Sequence, residues 1–477
     1  MIPDNATDLV MSPNIEEFSV VYLPASEKFS IQLTGPISYI GVSLASLAME
    51  TEITMWLFST IVLVISTLVG MLFMMGSWRS KKTASLPPAF LIRLAASLQP
   101  LVRSVSDTKR TAPSDFPPID IVTVEAPYPG TLLFTNATNP FRDDCDNQFG
   151  RYIAEIDKCT GQLLRYRRIL TKAYLFQPQP EGYSYAVLKR VGVNGGGHDG
   201  THYVTDKSLR ILRKFKVHNV PNGTTDMHEF LRLENGNVLL LSYRSRALNL
   251  SQHGGNENFL VYDPVIVEQT EKGEPVWIWD AKDHLNVQDA TDGPDVHFDA
   301  RPPLHIDYAH PNALSLFPEG NLLLSLKHID CVLKIDRSSG AVIWAMGGEK
   351  CSLNEFTFIN DPKNGFSHQH TARILPNGDL LLFDNGTLHP KQESRAVQYS
   401  VDEQKRTAQL VWSYSNGQFT PAQGSVERLP NGNTLIGWGF ATTPFVSEVT
   451  PDGKAVLEMN LPDGQIVYRV YQGRYGG

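Results

Sequence analysis

The sequence predicts an all-β fold, a six-bladed β-propeller preceded by a single transmembrane helix. Three observations predict it. A β-hairpin with a glycine turn recurs four times after about residue 121. A second hairpin of alternating apolar and polar residues follows several of them. A stretch of 21 residues without a charge, Met55 to Met75, stands before the repeats. The expected organisation is an N-terminal segment 1–54, a membrane helix 55–75, a Pro- and Ser-containing linker 76–120 and a propeller 121–477.

Composition sets the outer limits. Of 477 residues, 42% are hydrophobic and 19% charged, which excludes a mainly disordered chain. The net charge of −8 gives no basic excess, so nucleic acid is not an expected partner. Cys145, Cys159, Cys331 and Cys351 are too few for a disulfide-built scaffold and lack Cys-x-x-Cys zinc spacing. They fall into two local pairs, which suit an oxidising compartment.

Met55 to Met75 is long enough to span about 30 Å as a helix, the thickness of a bilayer core. It lies too far from the N-terminus for a signal peptide, and Glu50 and Glu52 precede it. Arg79, Lys81 and Lys82 follow it and argue for a cytoplasmic propeller. Four glycosylation sequons after this stretch, at Asn136, Asn222, Asn249 and Asn385, argue the other way, as do the cysteine pairs. The expectation adopted is a membrane-anchored glycoprotein with a lumenal or extracellular propeller.

The repeats are MHEFLRLENGNVLLLSY (227–243), AHPNALSLFPEGNLLLSL (309–326), QHTARILPNGDLLLFD (369–384) and GSVERLPNGNTLIGWG (424–439). Each has a strand, a turn with Gly and a second apolar strand; an Asn-Gly pair accepts the positive φ of a hairpin turn. The second hairpins are at 152–164, 259–280, 332–348 and 396–414. Two hairpins make a four-stranded sheet, and such sheets recurring every 55–80 residues or so read as propeller blades. Trp277, Trp279, Trp344 and Trp412 are expected to pack between blades.

Histidines recur within these units. His228 and His370 each lie eight residues before the turn glycine, and His310 lies ten before. Blades place equivalent positions around a common axis, so the three are expected to meet in one pocket. No carboxylate shows a matching repeat position. His368 and His370 would share a face on a regular strand, which makes a metal pair conceivable, but no full ligand set is predicted. Arg373, three residues after His370, would point to the opposite face unless a bulge intervenes. Asn312 shares the face of His310. Asp384 and Asn385 read as turn formers. The glycines at 195–197 lack the Gly-Lys-Ser/Thr ending of a phosphate-binding loop, and no cofactor is predicted.

VWIWDAKDH (276–284), DYAHPNALSL (307–316), SLKHIDCVLKIDRSSGAVIWAMGG (325–348) and FSHQHTARI with FDNG and SRAVQY (366–399) resemble the arylsulfotransferase family, in its eukaryotic and fungal-type branch. The resemblance implies a six-bladed propeller with its active site at the central channel. It implies transfer of a sulfuryl group from an aryl sulfate to a histidine and then to a phenol. His370 stands at the position of that histidine, and His228 and His310 match two further active-site histidines. Lys327, in Ser-Leu-Lys-His, stands where the family carries arginine. The residues suit such roles. Sulfuryl transfer needs cations or donors around the sulfur oxygens, a neutral imidazole is a nucleophile near pH 7, and a second histidine can deprotonate a phenol. Asn312, His368 and Arg373 are the candidate substrate-binding residues. A non-catalytic propeller that binds a protein or glycan is the competing expectation.

Overall fold

The computed structural model describes residues 17–23, 28–34, 112–139, 149–188, 200–218, 220–253, 256–291, 298–299 and 305–473. The chain divides into two compact units, at 1–102 and 103–477. In the first, Glu17–Leu23 pairs antiparallel with Lys28–Thr34. The membrane segment 55–75 lies outside the described residues, as does Cys145. Among the described residues no helix is long and apolar enough to cross a membrane.

The second unit is the propeller. Six sheets, each built on four strands in antiparallel order and three of them extended by further strands, form its blades. Blade two is Ala173–Gln179, Gly182–Leu188, Gly200–Asp206 and Ile211–Phe215. Blade three is Gly223–Arg232, Val238–Leu248, Phe259–Gln269 and Pro275–Asp280. Blade four is Pro311–Leu316, Leu322–Leu326, Cys331–Ile335 and Val342–Gly347. Blade five is His370–Ile374, Leu380–Asp384, Arg395–Asp402 and Thr407–Tyr414. Blade six is Ser425–Arg428, Thr434–Gly437, Val446–Val449 and Ala455–Asn460. The first strand of each blade touches the first strand of the next, so six inner strands ring one axis.

Blade one closes the ring with both ends of the unit. Its outer strands are Thr131–Thr138, Tyr152–Asp157 and Leu163–Arg168, but its inner strand is the C-terminal Gln465–Gly473. Asp120–Val124 in turn adds a fifth strand to blade six. Closure of this kind leaves no open edge between the first and last blades. The hairpins expected from the repeats are all present. Blade two and both closing strands are the additions, because none of them carries the Gly-turn and Leu-rich pattern.

The hairpin turns differ from the two-residue turn that an Asn-Gly pair suggests. Gly236 N–H donates to Leu233 O at 3.0 Å, and Leu233 N–H donates to Asn237 O at 2.9 Å. Gly378 and Gly432 repeat this pattern with Leu375 and Leu429. Only the glycines take positive φ, at 86° to 90°; the asparagines before them do not. A Cβ at Gly236 or Gly378 would meet nothing within 4 Å, so backbone conformation alone requires glycine there.

The core lies between blades, as the tryptophans were expected to show. Leu239, Leu241 and Trp279 of blade three pack with Leu322, Leu324 and Leu333 of blade four. Trp344 of blade four packs with Leu380, Leu382 and Tyr399 of blade five. Trp279 Nε1 donates to Gly340 O and Trp412 Nε1 to Pro451 O, which ties adjacent blades.

Two of the four sequons are incompatible with glycans on the folded chain. Asn136 is 3% exposed, and its amide binds Gly150 O and Gln465. Asn385 is fully buried, and its amide donates to the carbonyls of Thr420 and Gln423. Asn222 and Asn249 are exposed. Cys331 and Cys351 are free thiols, both buried, and Cys159 is a free exposed thiol.

Candidate active site

Bulges on the inner strands aim side chains at the axis. The register breaks between Thr225 and Phe230 in blade three, and between Pro311 and Ala313 in blade four. It breaks again between His370 and Arg373 in blade five, and between Val467 and Val470 in blade one. An extra residue in a strand turns side chains that a regular pleat would send to the sheet face. His228, His310, His370 and Tyr468 all arise at or beside these breaks.

The three predicted histidines meet. The ring of His228 stands 4.9 Å from that of His310 and 6.3 Å from that of His370, centroid to centroid, edge to face in both cases. Tyr468 closes the cluster, 5.4 Å from His370 and 6.1 Å from His228. A second group extends it. His328 stacks on His310 at 4.6 Å, and His368 lies 6.0 Å beyond His328. The open clefts on the outer surface contain none of these histidines.

The ring tautomers follow from the partners. His370 Nδ1 lies 2.7 Å from the backbone oxygen of Gly424, which can only accept. Nδ1 therefore carries the proton, and Nε2 keeps its lone pair. Thr371, at φ 50°, holds this arrangement by donating its hydroxyl to the same carbonyl at 2.8 Å. A β-branched residue is rarely found in that region of the backbone map, so the surrounding contacts impose the conformation. His328 likewise donates Nδ1–H to Asp307 O.

Three carboxylates each hold one histidine twice. Asp226 accepts the backbone N–H of His228 at 2.7 Å and its Nδ1–H at 2.8 Å. Asp307 does the same for His310, and Asp330 for His368. Asp226 and Asp307 thus act at matching places in blades three and four, two and three residues ahead of their histidines. The expectation that no carboxylate recurs is corrected: the one-residue offset is absorbed by the local turn.

His368 and His370 do not share a face. His368, at φ 53°, stands on a bend before the strand and turns to Asp330, while His370 turns to Gly424. The metal pair suggested by their spacing is therefore not formed. Among the described residues, Asp307, His310 and His328 are the group whose ligand atoms lie within 4.8 Å of one another. Hydrogen bonds among these residues account for that closeness.

The bulge after His370 carries Arg373 toward the axis, but Glu229 takes it. Arg373 Nη2 lies 2.7 Å from Glu229 Oε2, and its Nη1 donates to Leu314 O. Glu229 also pairs with Arg469 at 3.3 Å. Arg469 is fully buried, donates to Tyr471 Oη at 3.0 Å and to the backbone oxygen of Asn312, and has no partner for Nε–H among the described residues. Asn312 is fully buried; its amide donates to Gln369 O at 2.7 Å while its Oδ1 has no partner among the described residues. Lys327 sits on the turn Lys327–Ile329, and its backbone N–H donates to His310 O at 3.0 Å.

The residues of the Gln-His-x-Ala-Arg and Phe-Asp-Asn motifs divide between chemistry and support. Gln369 Nε2 donates to Ser325 Oγ, Leu326 O and Cys331 O, which knits blade five to blade four. Asp384 accepts from Ser367 N, Gly386 N, His389 and Arg395. These contacts fix the loops from which His368 and His370 project.

Burial favours uncharged imidazole at His370 and His310. Burial pushes the His370 pKa well below its ordinary value, and the nearby charge of Arg469 adds to this. Burial lowers His310 as well; Asp307 opposes the shift, while His228 and Lys327 reinforce it. Asp226 is held below the usual carboxyl range, because His228 outweighs the opposing effect of burial. Unfolded histidine titrates near pH 6.5. Between that value and the lower folded values only the unfolded chain gains protons. Stability is therefore complete above pH 6.5 and falls as the pH drops through it. Urea midpoints measured from about pH 7 to pH 5 are expected to fall, and less steeply for His370→Asn. Equal slopes for both proteins would contradict the assignment.

Fold and site together define a class, a β-propeller with an axial pocket of histidines oriented by acids and backed by buried arginine. Residues 211–471 match the arylsulfotransferase (ASST) family, and the chain belongs to that family. Arylsulfate sulfotransferase AssT of Escherichia coli O6:H1 is 26% identical over 377 residues, covering 66% of this chain and 59% of that protein. Arylsulfate sulfotransferase AssT of Lelliottia amnigena is 24% identical over 289 residues, covering 48% of this chain and 47% of that protein. The chain thus spans about half to three-fifths of these relatives. A solved Bacteroides caccae protein of unknown function aligns with 72% of this chain and 98% of its own, at 15% identity and a TM-score of 0.44.

Sequence reasoning missed Arg469, Tyr468, Glu229, His328 and the three orienting carboxylates. A signal existed for two of the carboxylates, an aspartate shortly before each repeat histidine. Arg469 carried none, because the closing strand lies outside the repeat pattern.

Proposed function

We propose that the propeller transfers a sulfuryl group from an aryl sulfate to a phenol through a covalent adduct on His370. The observation that carries this reading is the His370 tautomer. Gly424 O takes the Nδ1 proton, burial and Arg469 disfavour a second proton, and Nε2 is left as a nucleophile. In the first step Nε2 attacks sulfur, the N–S bond forms and the S–O bond to the aryl group breaks. The aryl oxygen departs as a phenolate and is protonated by solvent. In the second step a neighbouring neutral histidine removes the acceptor's phenolic proton, the acceptor oxygen attacks sulfur, the N–S bond breaks, and the histidine returns its proton to solvent.

His310 is the better placed proton carrier, since the Asp307 carboxylate accepts its Nδ1–H and stabilises the imidazolium that forms. His228, fixed by Asp226 with its ring 6.3 Å from that of His370, is assigned the binding of the sulfuryl oxygens. Lys327 supplies charge at the His310 side. Asn312 and His368 line the substrate approach, while Arg373 acts through Glu229. Lys327→Ala is expected to lower kcat/KM by about 10²- to 10³-fold, the cost of removing one stabiliser of developing charge. Lys327→Arg, with its fork of donors, is expected to keep or raise the rate. The assay is release of p-nitrophenol from p-nitrophenyl sulfate with a phenol acceptor. Wild-type turnover and an unchanged Lys327→Ala rate would remove Lys327 from the mechanism. No turnover with any aryl sulfate would favour a binding module.

We further propose that Met55 to Met75 anchors the chain in a membrane with the propeller on the lumenal or extracellular side. The uncharged 21-residue stretch and the two exposed sequons support this. Expression in a secreting eukaryotic cell is expected to add glycans at Asn222 and Asn249 alone. A glycosidase-sensitive mobility shift should disappear in the Asn222→Gln, Asn249→Gln double variant. A protein without that shift would place the propeller in the cytosol.

A further inference from the structure

We propose that Cys331 and Cys351 form a disulfide that latches the turn bearing Asp330, the carboxylate that orients His368. Cys331 opens the third strand of blade four, and its register partner across the ladder is Gly347. Glycine there leaves room for another residue. A Cβ on Gly347 would lie 2.4 Å from Cys351 Cβ and 2.5 Å from its Sγ. The Cys351 side chain therefore fills the space beside Cys331 that a cross-strand partner would occupy. Opposed side chains on a ladder have Cβ atoms about 4.5–5.5 Å apart, and a disulfide draws them to about 3.5–4.5 Å.

The pair has an attacking and a resolving member. The neighbouring Cys331 thiol lowers the Cys351 thiol pKa against the opposing effect of burial, and Cys351 is 7% exposed. Burial pushes the Cys331 thiol well up, and it is fully enclosed. With a small disulfide as oxidant, Cys351 thiolate attacks one sulfur and releases one thiol. Cys331 then attacks the mixed disulfide and releases the second. Two protein thiols and one oxidised glutathione give one protein disulfide and two reduced glutathiones.

The bond would act on the site through Asp330. This residue sits at φ 52° with Cys331 next to it, donates N–H to Lys327 O and accepts both N–H groups of His368. Its carbonyl accepts Gly348 N–H, three residues before Cys351, and Cys351 N–H donates to Gly348 O. Cys331 O accepts from Gln369, the neighbour of His370. Closing the thiols would therefore join covalently two turns that single hydrogen bonds now connect. The linkage stands apart from the sulfotransferase reading, since its first readout is thiol chemistry.

The test uses the full chain equilibrated with oxidised or with reduced glutathione, then alkylated, digested without reductant and mapped by mass spectrometry. A peptide linking Cys331 to Cys351 is expected after oxidation, together with a melting temperature about 4 °C above the reduced protein, as a loop of about 20 residues in a domain of this size implies. Cys351→Ala should abolish the linked peptide and most of that temperature difference, and Cys331→Ala should do the same. Full alkylation of both cysteines after oxidation would overturn the proposal. So would a linked peptide whose formation leaves the melting temperature unmoved, because the bond would then latch nothing.

Discussion

Replacing His370 with alanine is expected to lower sulfotransfer by about 10⁴-fold or more while leaving the propeller folded. Loss of a covalent nucleophile removes both half-reactions at once, which is why such variants lose activity on this scale. The fold should survive, because Thr371 still donates to Gly424 O and the blade five strands pair through residues 373 and 374. The alternative role for His370, a packing residue that also binds anions, predicts a smaller effect confined to KM. The comparison of kcat with KM for p-nitrophenyl sulfate separates the two. A kcat within tenfold of wild type would remove His370 as nucleophile. His228→Ala and His310→Ala should cost less, about 10²- to 10⁴-fold, as expected of groups that move protons or bind oxygens.

The second large effect concerns stability. Arg469→Met is expected to destabilise the propeller by about 3–5 kcal/mol, the usual cost of breaking a buried ion pair from one side. Arg469 and Glu229 are both fully buried, on the inner strands of blades one and three. The same guanidinium holds the backbone oxygen of Asn312 in blade four. One side chain on the closing strand thus ties together three blades. Equilibrium unfolding in urea measures the loss, and a midpoint equal to wild type would show that Arg373 alone satisfies Glu229. Removal of this charge also lets His370 accept a proton more readily, so the acid limb of the pH–rate profile should move to higher pH. A limb at the wild-type position would separate the stabilising role of Arg469 from any influence on His370.

Much of this arrangement was legible in the sequence, for a reason that particular residues make clear. A propeller repeats its hairpin, so Gly236, Gly378 and Gly432 mark the same turn in different blades. Counting back from them locates His228 and His370, and a slightly longer count locates His310. The geometry that makes these rings converge is the symmetry of the fold itself, which repetition encodes directly. Blade two escaped notice because its turn glycine, Gly182, is followed by Tyr, Ser and Ala rather than by the Leu-rich strand of the other hairpins. The strand Gln465–Gly473 escaped because a closing strand borrows its partners from the far end of the chain, 329 residues away at the contact of Gln465 with Asn136. Arg469 and Tyr468 went with it. The bulges were equally hidden. A strand read as a regular pleat put Arg373 on the wrong face and paired His368 with His370, whereas a bulge follows His370 and His368 stands on a bend before the strand begins. Such irregularities belong to the inner rim, where the axis demands side chains that a flat ladder would turn away.

The residues of the family motif occupy unequal places in the geometry. Gln369, Asp384 and Asn385 belong to the motif yet serve as braces: the amide nitrogens of Gln369 and Asn385 donate to neighbouring backbone, and Asp384 accepts from backbone and from Arg395. At His228, His310 and His370, by contrast, an oxygen acceptor fixes the Nδ1 proton. Lys327 at the family's arginine position places a single-point cation beside His310, with Arg469 as a buried positive charge behind His370.

The central claim is that Nε2 of His370 carries the sulfuryl group between donor and acceptor. Rapid quenching of the full chain with p-nitrophenyl sulfate in the absence of a phenol, followed by peptide mass spectrometry under alkaline conditions, tests it most directly. The account predicts one added SO₃ on the peptide containing His370, absent from His370→Ala and discharged when phenol is supplied. Turnover with no adduct on His370, or an adduct carried by another residue, would contradict it.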